Sequence, residues 1–166
     1  VREANGKQAA RADLRIRPTV QGAALVLGNE TGRILAMAGG FSYPASQLNR
    51  VVQSLRQPGS TLKPLTYLAA LRKGLQPNTL VMDEPITLAP IGTTVSARQR
   101  DFWSPKNYDG GALGAITLRR ALENSRNLAT AQLLATGLDD SAERGLDRVC
   151  ELAMEAQLYK ECMRYY

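Results

Sequence analysis

The chain has no histidine, and this absence removes more chemistry than any other feature of its composition. Serine–histidine and cysteine–histidine catalysis are excluded, and so is the commonest side-chain metal ligand. A serine nucleophile here needs a base of another kind. Cysteine is scarce: Cys150 and Cys162 stand twelve residues apart, with no Cys-x-x-Cys pair. On one unbroken helix they would be roughly 18 Å apart, so a bridge requires a bend between them. The expectation from spacing is two buried or idle thiols. Aromatics are few, with one Trp and two Phe. No apolar run is long enough to span a bilayer, and no signal peptide opens the chain. The first residue is Val1 rather than Met, so the expectation is a piece of something longer.

What remains is ordinary for a globular domain: 166 residues, 44% hydrophobic and 22% charged. The net charge is +6, carried by sixteen arginines and only five lysines. The arginines are scattered and are not interleaved with aromatics. A generally basic, solvated surface fits better than a nucleic-acid stripe. No internal repeat or low-complexity segment is present.

Two hydrophobic runs, Ala23-Ala24-Leu25-Val26-Leu27 and Arg33-Ile34-Leu35-Ala36-Met37-Ala38, flank Asn29-Glu30-Thr31-Gly32 and predict a β-hairpin. Residues 1–20 form a charged lead-in. Residues 41–53 read as a linker. Pro58-Gly59 then marks a turn, and Leu62, Leu65, Leu68, Ala69 and Leu71 follow near helical period, with Gly74 as the stop. Pro64 is tolerable in the first turn, where its missing N–H has no intrahelical partner. Residues 78–111 form a long polar stretch with 86–88 and 93–95 as short strand candidates. Thr117 caps a helix that stops near residues 124–127, and a second helix ends at Gly137. Asp140 with Glu143 resembles a capping box opening a last helix.

Ser60 and Lys63 share one face of the helix start, three residues apart. A lysine with a lowered pKa can take the proton of a neighbouring serine, and a helix N-terminus favours a developing anion. Alone, Ser-x-x-Lys is a common chance pattern. Ser125-x-Asn127 at a helix junction is equally ambiguous: a proton relay and an amide hydrogen-bonding group, or two caps. The segment 102–110, with Trp103, Asn107 and Tyr108, suits the wall of a substrate cleft or a turn anchored in the core by the tryptophan.

Taken together, these motifs resemble those of the penicillin-recognising serine enzymes. The segments 22–27, 31–37, Arg56-Gln57-Pro58-Gly59-Ser60-Thr61-Leu62-Lys63-Pro64, Trp103-Ser104-Pro105-Lys106-Asn107-Tyr108-Asp109-Gly110 and Leu118-x-x-Ala121-Leu122-x-x-Ser125-x-Asn127 fall in order. This is similar to the transpeptidase domain of a bifunctional, class A penicillin-binding protein. The resemblance implies an α+β fold: an N-terminal antiparallel hairpin plus a helical subdomain, over residues 21–166. It implies Ser60 as nucleophile toward D-Ala-D-Ala of a peptidoglycan stem peptide and Lys63 as its base. Ser125 would relay a proton to the leaving amine, Asn127 would hold Lys63 and a substrate amide, and Trp103, Asn107 and Tyr108 would contact substrate. No cofactor or metal is implied. β-Lactams would acylate Ser60. A parent chain would carry a glycosyltransferase domain and a membrane anchor and work at the outer face of the cytoplasmic membrane, with no nucleic-acid partner. The chain departs from the family in one respect: none of Lys7, Lys63, Lys73, Lys106 or Lys160 opens a Lys-Thr-Gly or Lys-Ser-Gly motif. The resemblance therefore implies a domain cut before that motif. A β-lactamase or D,D-carboxypeptidase of the same fold, or a non-catalytic binding module, are the alternatives. Arg126, where related hydrolases often carry aspartate, favours the bifunctional class.

Overall fold

The computed structural model describes residues 19–44, 46–90 and 102–162. The chain divides between Gln57 and Pro58 into two compact units. In the first, β1 (Ala24–Leu27) and β2 (Ile34–Ala38) pair antiparallel, Ala24 opposite Ala38 and Leu25 opposite Met37. Gly28 closes the turn, donating to Arg33 O at 2.8 Å and accepting from Gly32 N at 2.7 Å. The expected hairpin is therefore present. Every residue of both strands is exposed, on both faces of the ribbon. The expected linker carries a single helical turn, α1 (Arg50–Gln53), capped by the Asn49 side chain, which accepts from Val51 N.

The second unit holds the core. A 3-10 turn over Gly59–Leu62 leads straight into α2 (Lys63–Arg72). Pro64 occupies the first turn, as its missing N–H requires, and Gly74, at φ +102°, turns the chain away after Lys73. Inside the long polar stretch lies a strand that the pattern did not reveal. β3 (Leu80–Asp83) pairs antiparallel with β4 (Gly114–Thr117), Leu80 opposite Thr117 and Asp83 opposite Gly114. Four residues are too few for an alternation to register, and the partner lies more than thirty residues on. Of the 86–88 strand only an isolated bridge is present, Leu88 to Trp103, with 2.9 Å hydrogen bonds both ways. Residues 93–95 lie outside the described residues.

β4 runs directly into α3 (Leu118–Glu123), whose cap is Thr117, accepting from Arg120 N. α4 (Asn127–Gln132) widens into a π-helical turn over Leu133–Gly137. α5 (Ala142–Glu155) is capped by Ser141, which accepts from Arg144 N, and not by Asp140. Ser141 has the extended backbone that a cap needs, whereas Asp140 is ion-paired with Arg144 at 3.0 Å. The helices pack through small residues: Ala70, Ala121 and Ala129 are fully buried beside Tyr67, Ile116, Leu118, Leu133, Leu138 and Leu152. Gly145 lets α5 approach closely, because a Cβ there would lie 2.5 Å from Leu134 O.

Cys150 and Cys162 form a disulfide, Cα atoms 5.9 Å apart, which corrects the expectation of idle thiols. The bend comes from the end of α5. Gln157 adopts φ +58°, Leu158 N donates to Ala153 O and Gln157 N to Met154 O, the hydrogen-bond pair of a Schellman C-cap. The chain reverses and brings Cys162 back to the helix. The denatured, unreduced protein is expected to show neither of these thiols to a thiol reagent, and both after reduction. Cys150→Ser lowers stability by about 2–3 kcal/mol, the scale for a loop of this size, measured by urea unfolding.

Candidate active site

Two short motifs, Ser60 with Lys63 and Ser125 with Asn127, come together in the second unit though they lie more than sixty residues apart. Ser60 lies exposed in the 3-10 turn, entered through Gly59 at φ +54°, a left-handed conformation that glycine adopts without strain. Lys63, the first residue of α2, is buried. Its ammonium donates three hydrogen bonds: to Ser125 O at 2.6 Å, Asn127 Oδ1 at 2.6 Å and Ser125 Oγ at 3.1 Å. Burial holds its pKa below the usual 10.5. The three acceptors match in number the three protons of an ammonium.

The Ser125–Asn127 tripeptide spans the break between α3 and α4. Ser125 has φ +50°, in the left-handed region that non-glycine residues seldom occupy. That conformation turns both its carbonyl and its hydroxyl toward Lys63. Asn127 is fixed at both ends of its amide, Nδ2 donating to Lys106 O at 2.7 Å and Oδ1 accepting from Lys63.

Ser60, Ser125 and Asn127 line an open groove of about 540 Å³, with Asn107, Tyr108, Asp109, Asn124 and Arg126. Tyr108 is fully exposed at its rim. Trp103 is 56% exposed and outside the groove lining, so it does not anchor this turn in the core. Asn107 borders the groove, but its amide is engaged by the protein. Oδ1 accepts from Asn127 N at 2.7 Å and Leu128 N at 3.2 Å, and Nδ2 donates to Asp83 Oδ1 and Gly111 O. It thus caps α4 from a distant loop, where Arg126, the residue at the cap position, makes no side-chain capping bond.

Sequence reasoning missed Asp83. Its carboxylate is wholly buried and accepts from Arg126 Nε at 2.9 Å and Leu113 N at 3.0 Å, with Arg126 Nη2 at 2.7 Å. Arg126 also reaches Asp109 Oδ2 at 2.7 Å and Gly111 O at 2.8 Å. Burial pushes the Asp83 carboxyl up, but the hydrogen bonds from Arg126, Asn107 and Leu113 N and the guanidinium charge together hold it below its usual value. A separation of 43 positions between Asp83 and Arg126 leaves no periodic signal of the pair.

Residues 22–159 match the model of the penicillin binding protein transpeptidase domain. The chain belongs to that family. It is 45% identical over 126 residues to penicillin-binding protein 1A of Rickettsia conorii, covering 75% of this chain and 15% of that one. Penicillin-binding transpeptidase structures share the fold. The crystal structure of penicillin-binding protein 1A from Haemophilus influenzae aligns with TM-score 0.64 at 35% identity, covering 81% of this chain and 18% of that one. PonA1 of Mycobacterium tuberculosis, in complex with penicillin V, aligns with TM-score 0.67 at 23% identity, covering 88% of this chain and 34% of that one. The chain thus spans about 15% of the length of the curated relatives it matches. The α+β expectation holds for this penicillin-binding fold, the foreseen hairpin being one of two small antiparallel sheets among the described residues. Among the described residues no helix is long and apolar enough to cross a membrane.

Proposed function

We propose that this chain is the acylating part of a peptidoglycan D,D-transpeptidase, with Ser60 as nucleophile, Lys63 as base, and Ser125 and Asn127 as relay and clamp. The observation that carries the reading is a buried lysine, one turn after an exposed serine, held by both members of Ser-x-Asn. When Lys63 sheds a proton, its two remaining N–H groups stay on Ser125 O and Asn127 Oδ1, the two 2.6 Å contacts. Its lone pair is then released from the longer Ser125 Oγ contact and can accept the Ser60 proton. Ser60 Oγ forms an ester with the penultimate D-alanine carbonyl of a stem peptide. The C–N bond to the terminal D-alanine breaks, and the proton taken from Ser60 passes from Lys63 through Ser125 Oγ to the departing amine, leaving Ser125 protonated and Lys63 neutral. An amine from a second stem then attacks the ester, forming the cross-link and returning the proton to Ser60 Oγ. A β-lactam acylates the same oxygen by opening its ring.

The substrate-contacting roles of Trp103, Asn107 and Tyr108 belong to the same proposal. Tyr108 is the best situated, exposed at the groove rim. Asn107 acts through Asn127, and Trp103 would meet only a ligand that extends beyond the groove. The segment 21–166 is proposed as part of one transpeptidase domain, with 1–20 as its lead-in. Its parent chain would carry a glycosyltransferase domain and a membrane anchor and act outside the cytoplasmic membrane. The Cys150–Cys162 disulfide supports that location, because disulfides persist in oxidising compartments.

The test is intact-mass spectrometry of the full-length protein after benzylpenicillin treatment. One covalent adduct is expected on the parent and none on Ser60→Ala. An adduct retained by Ser60→Ala, or none on the folded parent, refutes the reading.

A further inference from the structure

We infer that Asp83 is a positioning residue for the site, holding Ser125 and Asn127 against Lys63 through Arg126 and Asn107. The inference rests on the acylation chemistry proposed above. Asp83 ends β3 and lies outside the groove lining, so any effect it has on the reaction is transmitted. Its two side-chain partners act on the Ser-x-Asn segment from two directions. Arg126 is the residue between Ser125 and Asn127; while its neighbours engage Lys63, its own guanidinium pairs with Asp83. Asn107 takes its donor bond to Asp83 Oδ1 and uses its acceptor oxygen on Asn127 N and Leu128 N, the first two N–H groups of α4.

One carboxylate is therefore tied to the middle of the tripeptide through Arg126 and to the start of α4 through Asn107. The tripeptide needs such support. Ser125 holds a left-handed backbone while its carbonyl accepts one of the two shortest hydrogen bonds of Lys63. The exposed Asp109 closes the set by gripping a third guanidinium nitrogen and the N–H of Gly111. The carboxylate thus reaches the middle residue of the segment through Arg126 and its last residue through Asn107.

The distinguishing experiment is a double-mutant cycle on the full-length protein, read as acylation by a fluorescent penicillin. Noncovalent binding and the acylation rate constant are resolved by varying the penicillin concentration. Asp83→Asn, which preserves shape and changes the charge and donor pattern, is expected to lower the acylation rate constant roughly 10²-fold, with noncovalent binding altered by less than about threefold. In an Asn127→Ala background the further loss from Asp83→Asn falls at least about tenfold short of that figure, because the group being positioned is gone. If Asp83 served folding alone, the folded variant would acylate with the parental rate constant, and if it acted independently of Asn127 the two losses would multiply; either result overturns the inference. Should Asp83→Asn not fold, Arg126→Lys, which keeps the buried charge and loses the planar fork, is read in the same cycle. Multiplying losses or a parental rate for that variant overturn the inference equally. Failure of the unmutated protein to acylate at Ser60 refutes the proposed function instead, so the two failures are distinct.

Discussion

Lys63→Ala lowers the acylation rate by about 10³-fold, within the usual range for loss of a general base, while Ser60 stays in place. The cause is the burial of Lys63 beside three oxygen acceptors. Desolvation depresses its pKa, which favours the neutral amine more than in a free lysine. The pH dependence has a definite sign. The amine is inactive when protonated, so acylation of the parent rises with pH through a midpoint below 10.5, and this rising limb disappears in Lys63→Ala. The same depression links to stability. The unfolded chain binds this proton more tightly, so the contribution of Lys63 to stability grows as pH rises from the folded pKa to the unfolded one. Rapid-mixing measurements with a fluorescent penicillin across pH check the first claim. A loss smaller than tenfold in Lys63→Ala would give the role of base to another group.

The second large effect is on folding. Arg126→Ala strands the Asp83 carboxylate, wholly buried, without its counter-charge. Breaking a buried pair in this way costs about 3–5 kcal/mol, measured by denaturant unfolding. The pH signature separates this from simple loss of packing. In the parent, Asp83 is held below its usual value, so its stabilisation is present above the unfolded carboxylate pKa of 3.8 and is lost as pH falls through the folded pKa. In Arg126→Ala, burial dominates and raises the Asp83 pKa. The sign reverses: mild acidification, which protonates the orphaned carboxyl, now stabilises the variant. A variant that loses stability monotonically with acid, as the parent does, would show that Asn107 and Leu113 N alone suffice to hold the charge.

The two local motifs of the site were legible because each lies within a few residues. Ser60 and Lys63 need only one turn between them, and Pro58, Gly59 and Pro64 announce that turn. Ser125 and Asn127 sit where one helix stops and the next starts, which caps and polar residues mark. The supporting network was not legible. Asp83 lies in a four-residue strand embedded in polar sequence, and its two side-chain partners are 24 and 43 residues away. Asn107 drew attention as a substrate-facing group and proved to spend its amide on Asp83 and the start of α4. The cysteines misled for a related reason. Spacing along a helix says nothing of a Schellman reversal, whose hydrogen bonds, from Leu158 to Ala153 and Gln157 to Met154, are made by backbone groups at a Gln rather than the usual Gly.

The sequence by itself determined the hairpin, the helices with the Thr117 cap and Pro64 in a first turn, the absence of any histidine base, and the two residue pairs on which the proposed chemistry rests. These follow from local sterics, periodicity and side-chain chemistry, which act over a turn or two. Only the tertiary structure decided that Lys63 meets Ser125 and Asn127, that Arg126 faces inward to Asp83, and that Cys150 finds Cys162. Each of those outcomes depends on burial: a cation, a carboxylate and an amide removed from water must find partners, and which partners are in reach is set by how β3, β4 and the helices pack.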